Sequence, residues 1–125
     1  MKSPTKSELE ILRVLWTLKR GTVRQVNTVI NRNKKQGYTT TLKFMQIMEE
    51  KGLLNADTSN RAHIFSSKLK ENKVKRDVIK NLLANVFNNS LDDLLVQAIS
   101  AKPLSKDELV HLKELIKEAE SKLEN

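Results

Sequence analysis

The 125-residue chain contains no cysteine, which excludes a disulfide framework, a thiolate metal site and a thiol nucleophile together. Histidine is almost as scarce: His63 and His111 are the only imidazoles that could serve as ligands or bases. No apolar run approaches the roughly 20 residues needed to cross a bilayer. The opening MKSPTKSELE lacks the apolar centre of a secretory signal, so the expected location is cytoplasmic. The two prolines and three glycines fall singly, at Pro4, Gly21, Gly37, Gly52 and Pro103, and so few breaks imply a mainly helical chain. There is no nucleophile–base pair, glycine-rich phosphate loop or ligand cluster. The sequence is therefore not read as an enzyme, and neither a cofactor nor a metal is expected.

What the chain does have is positive charge. It holds 23 Lys and Arg against 15 Asp and Glu, a net charge of +8 with a pI near 9.8. Residues 1–67 contain 12 basic and 5 acidic residues, a balance of +7, whereas residues 68–125 contain 11 and 10, a balance of +1. A basic half of this kind attracts a polyanion, and a near-neutral half is free to pack against protein. A membrane surface would call for a basic amphipathic helix with a large apolar face, which the first half does not show.

Apolar spacing divides the chain into elements. Ser7 and Glu10 have capping-box spacing ahead of Leu9, Ile11, Leu12, Val14, Leu15, Trp16 and Leu18, predicting a helix over about 5–18 with Trp16 as a core anchor. Gly21 is expected to supply a left-handed exit. Thr22 and Gln25 repeat the capping spacing before Val23, Val26, Val29 and Ile30, predicting a helix over about 22–32. A third helix is expected over about 39–51, burying Thr41, Phe44, Met45 and Met48 and stopping at Gly52. Leu53–Asp57 and Arg61–Ser66, separated by Thr58, Ser59 and Asn60, read as a β-hairpin with His63 on its second strand. Helical spacing resumes at Lys73, breaks at Asn88 and Asn89, and stops at Pro103; Ser105 and Glu108 then cap a closing helix. The expected fold is mainly α with a small β-hairpin, organised as a unit over 1–70 and a helical unit over 71–125.

Three short helices and a hairpin in a basic half-chain follow the order of a winged helix-turn-helix, in which the third helix enters the major groove of double-stranded DNA. Its outward residues are then Thr39, Thr40, Leu42, Lys43, Gln46 and Ile47, a set of hydroxyls, an amide, an ammonium and apolar groups suited to base edges and phosphates. An ordinary solvated face is the competing reading. Arg24 suits a phosphate, with Lys19, Arg20, Lys34 and Lys35 expected on the same surface, but it equally suits solvent. Arg61 at the hairpin tip suits a minor groove or a plain exposed turn. His63 and His111 have no partner at ligand spacing and are assigned no metal. In the second half, the stripes of Leu82, Leu83, Val86, Leu91, Leu94, Leu95, Ile99, Leu109, Leu112 and Ile116 lack an obvious companion, which favours a homodimer over a tail folded back on a single core. A sequence-specific repressor and a non-specific nucleoid-type DNA binder both fit these observations.

Several segments together resemble the penicillinase repressor family, which includes the β-lactamase, methicillin-resistance and copper-responsive repressors. They are SELEILRVLW (7–16), TVRQV (22–26), GYTTTLKFMQIMEEKGLL (37–54), NRAHIF (60–65) and LSKDELVHLKELI (104–116). The resemblance implies a homodimeric winged-helix repressor of the β-lactamase-repressor type on palindromic operators with TACA/TGTA-like cores. By position it makes Tyr38, Thr39, Thr40 and Lys43 the start of the recognition helix, Arg61 the wing residue and the C-terminal segments the dimerisation domain. Two departures stand out. The cysteine-rich hook of the copper-responsive members is missing, and the Asn-Phe bond cut by the family's sensor-linked protease falls here at Gln97-Ala98. The resemblance therefore keeps such a protease as an expected partner but leaves the inducing signal open.

Overall fold

In the computed structural model, which describes residues 4–124, the first helix, α1 (Lys6–Leu18), begins at a Thr5 cap. The Thr5 hydroxyl accepts the Glu8 N–H at 3.2 Å, and the Glu8 carboxylate accepts the Thr5 N–H at 2.9 Å. The capping box is thus two residues earlier than the Ser7–Glu10 spacing suggested. The reason is tertiary: this register buries Glu8, which receives Lys51 Nζ at 2.9 Å, and points Ile11, Leu12 and Leu15 into the core. Burial pushes the Glu8 carboxyl upward, but the Thr5 N–H and the Lys51 ammonium outweigh it and hold it below the ordinary carboxylate range.

The left-handed residue after α1 is Lys19, with φ 73°, and not Gly21. Gly21 instead forms a one-residue bridge to Phe65, with N–H···O contacts of 2.9 and 2.8 Å in the two directions. Helix α2 (Val23–Ile30) has the expected Thr22–Gln25 box and buries Val23, Val26 and Ile30. Helix α3 (Tyr38–Glu50) buries Thr41, Met45 and Met48, while Phe44 and Leu42, expected inside and outside respectively, are both half-buried against the core. Gly52 ends it in the left-handed region at φ 82°, and the Leu53 N–H reaches back to the Met48 carbonyl at 2.9 Å. That six-residue closure needs a residue without a Cβ penalty at Gly52.

Strands β1 (Leu54–Asp57) and β2 (Ile64–Ser67) form an antiparallel pair with Ala56 opposite Phe65. Leu54 and Phe65 point inward and close the core of α1, α2 and α3. Trp16 lies at its edge and donates its indole N–H to the Leu69 carbonyl at 3.0 Å and to Ser67 Oγ at 3.2 Å. The architecture is a winged helix-turn-helix.

Helix α4 (Glu71–Asn85) follows directly. The first compact unit runs through Lys80 rather than stopping near residue 70, and Val74 is buried within it. On these bounds the charge division sharpens. Residues 1–80 hold 18 basic and 7 acidic residues, a balance of +11, and residues 81–125 hold 5 and 8, a balance of −3. In the second unit, Asn88 and Asn89 adopt φ 50° and 61° and turn the chain before α5 (Leu91–Ala101), which Ser90 caps through the Asp93 N–H. Helix α6 (Lys106–Glu124) has the expected Ser105–Glu108 box. Neither α5 nor α6 has a buried residue.

Candidate nucleic-acid interface

The turn from α2 to α3 is held by side chains. Thr41, fully buried on α3, accepts the Asn27 amide and the Gln36 amide through Oγ1, each at 2.7 Å. Asn27 and Asn31 also donate to the Gln36 carbonyl at 3.1 and 2.8 Å, and Asn31 Oδ1 accepts the Gln36 N–H at 3.0 Å. These bonds satisfy the polar backbone of the turn and fix the angle at which α3 leaves it. No role for Asn27 or Gln36 follows from hydrophobic spacing; the only hint is a polar residue inside the apolar pattern of α2.

With α3 so held, Thr39, Thr40, Lys43, Gln46 and Ile47 are exposed along it, and Tyr38 stands half-exposed at its first turn. The Arg24 guanidinium lies 6.0 Å from the centre of the Tyr38 ring, within cation–π range, which places an arginine of α2 beside the start of α3. A cleft of about 630 Å³ separates α3 from the hairpin. Arg24, Tyr38, Gln46 and Arg61 line it together, joined by Glu49 and His63, for which the sequence suggested no part. Thr39, Thr40 and Lys43 stand on α3 outside its lining. His63 lies one residue before β2 rather than on the strand.

The hairpin turn is set by Asp57, whose carboxylate accepts the Ser59 hydroxyl at 2.7 Å and the Ser59 N–H at 3.0 Å. These two bonds, with Arg20 at 3.7 Å adding charge, hold the Asp57 carboxyl below its ordinary range. Of the cations expected beside Arg24, Arg20 pairs with Asp57 of the hairpin and Lys34 pairs with Glu10 of α1 at 3.0 Å. Among the described residues no group of three or more His, Asp or Glu is arranged to hold a metal ion, and no helix is long and apolar enough to cross a membrane.

A winged helix-turn-helix with a basic first unit and an exposed polar third helix defines a DNA-binding regulator. A family model described as penicillinase repressor matches residues 4–118, and the chain belongs to that family, whose members are DNA-binding transcriptional repressors rather than enzymes. No curated protein matches the sequence.

Proposed function

We propose that the protein is a sequence-specific repressor that binds palindromic operators as a homodimer. The observation that carries this reading is the exposed α3 face beside a cleft that gathers Arg24, Tyr38, Gln46 and Arg61. Lys43, Thr39, Thr40 and Gln46 read base edges, while Arg24 and Arg61 hold the backbone on either side. Two-fold pairing supports specificity by setting two recognition helices one helical turn apart on the duplex.

The exposed apolar residues of α4–α6 support the homodimer. Val86, Leu91, Leu95, Ile99, Leu109, Leu112 and Ile116 are each 40% or more exposed, and Leu82, Leu83 and Leu94 are half-buried. A stripe of that length in water marks an interface. Residues 81–125 carry a −3 balance, so two copies of this segment repel one another weakly and apolar burial has to drive the pairing.

Derepression through a sensor-linked protease remains part of the proposal, with a changed position. Gln97 and Ala98 lie inside α5, and Gln97 donates to Asp93 at 3.4 Å. A helical bond must unwind before it fits an extended protease cleft, whereas residues 102–105 already lie outside helix. Cleavage there severs α6 and weakens pairing by mass action. Footprinting across the promoters nearest the gene tests the reading: a protected segment with two-fold symmetry is expected. Protection spread evenly along the DNA would favour the nucleoid-type alternative.

A further inference from the structure

We propose that His63 is a further DNA-contacting residue and that its protonation tightens binding, making DNA affinity pH-dependent. The inference rests on the α3–wing cleft being the DNA-facing site.

His63 immediately precedes Ile64, which pairs with Asp57 in the hairpin ladder, so its backbone is anchored by the sheet instead of riding on the turn. It is exposed, lines the cleft, and makes no hydrogen bond or ion pair among the described residues, which leaves both ring nitrogens free for a ligand. The charged groups sharing the cleft are Arg24 from α2, Arg61 from the hairpin and Glu49 from α3, with Tyr38 as a further titratable group. A neutral imidazole leaves that set at +1, with the Glu49 carboxylate repelling an entering phosphate. A protonated imidazole raises it to +2 and offsets Glu49. Imidazole is the ordinary side chain whose charge changes between pH 5 and 8, and a phosphate beside it favours the charged form.

The sign follows from linkage. A phosphate that binds the protonated ring better than the neutral one makes DNA binding stronger as pH falls and weaker as pH rises. If the complex favours the proton about tenfold, binding is about tenfold tighter per protomer at low pH. One further phosphate contact per protomer also steepens the salt slope by about 0.9.

The test uses the full chain, a duplex selected from a random pool, its scrambled counterpart, and a pH-insensitive fluorescent label, titrated from pH 5.5 to 8.0 at constant ionic strength. Wild type is expected to bind roughly tenfold tighter per protomer at the acid end. His63→Gln should flatten the profile, His63→Lys should bind tightly throughout, and His111→Gln should behave as wild type. A flat wild-type profile, or a pH dependence that survives His63→Gln, overturns the inference. Circular dichroism across the range checks that every variant remains folded. The pH profile decides the role of His63 on either duplex, while the ratio of selected to scrambled affinity decides the operator reading, so the two failures are distinguishable.

Discussion

Replacing Thr41 by Val removes one hydroxyl from a fully buried position while keeping the side chain's shape. That hydroxyl is the acceptor for the Asn27 and Gln36 amides, both at 2.7 Å. Asn27 keeps a second bond, to the Gln36 carbonyl at 3.1 Å, whereas the Gln36 amide has no other acceptor among the described residues. A stranded buried donor costs about 1–3 kcal/mol. Asn27 and Gln36 are only half-buried, so water can reach them in part, and the lower half of that range applies, about 1–2 kcal/mol. For a unit of this size each kcal/mol lowers Tm by roughly 4–8 °C. Trp16 is the only tryptophan and belongs to the first unit, so its fluorescence during urea unfolding reports that unit alone. The expected result is a lower midpoint with an unchanged slope, and weaker DNA binding because α3 is no longer held at its turn. A midpoint equal to that of wild type would refute the argument that this network fixes the helix-turn-helix.

Lys43→Ala and Thr40→Ala should each weaken binding to the selected duplex by about 1–3 kcal/mol and leave the scrambled one little changed, as titration of both would show. Arg24→Ala should weaken all duplexes alike and reduce the salt slope by about one; a sequence-dependent loss would contradict a phosphate role. A fragment ending at Lys80 should fold cooperatively as a monomer, and one ending at Lys70 should be less stable by roughly 1–2 kcal/mol because it loses buried Val74. Sedimentation and melting of the two fragments check this. The lowered Glu8 pKa contributes stability that is present above the unfolded carboxylate value and is lost as pH falls through the folded one. Glu8→Gln should therefore destabilise the first unit at neutral pH and flatten its acid-unfolding profile, as read by Trp16 fluorescence.

The sequence was most legible where a local rule has one solution. Thr22–Gln25 and Ser105–Glu108 cap helices where their spacing places them, and Gly52 stops α3 because the left-handed closure tolerates little else. At the first helix two capping pairs, Thr5–Glu8 and Ser7–Glu10, satisfy the same rule. Tertiary contacts decide between them: the distant Lys51 ammonium donates to the Glu8 carboxylate, and Ile11, Leu12 and Leu15 pack into the core. The Gly21–Phe65 bridge is one residue long, too short for strand alternation to register. The site divides in the same way. The face of α3 follows from periodicity, whereas the meeting of Glu49 and His63 with Arg24 depends on how the hairpin folds over α3, a contact between segments with no shared local pattern.

The central claim is sequence-specific binding by paired chains, and it is tested most directly by titrating the intact protein against a selected two-fold duplex and its scrambled counterpart at physiological salt. The account predicts at least about 10³-fold tighter binding to the selected duplex, saturating at two chains per site. Equal affinity for the two duplexes, or saturation at one chain, would contradict it.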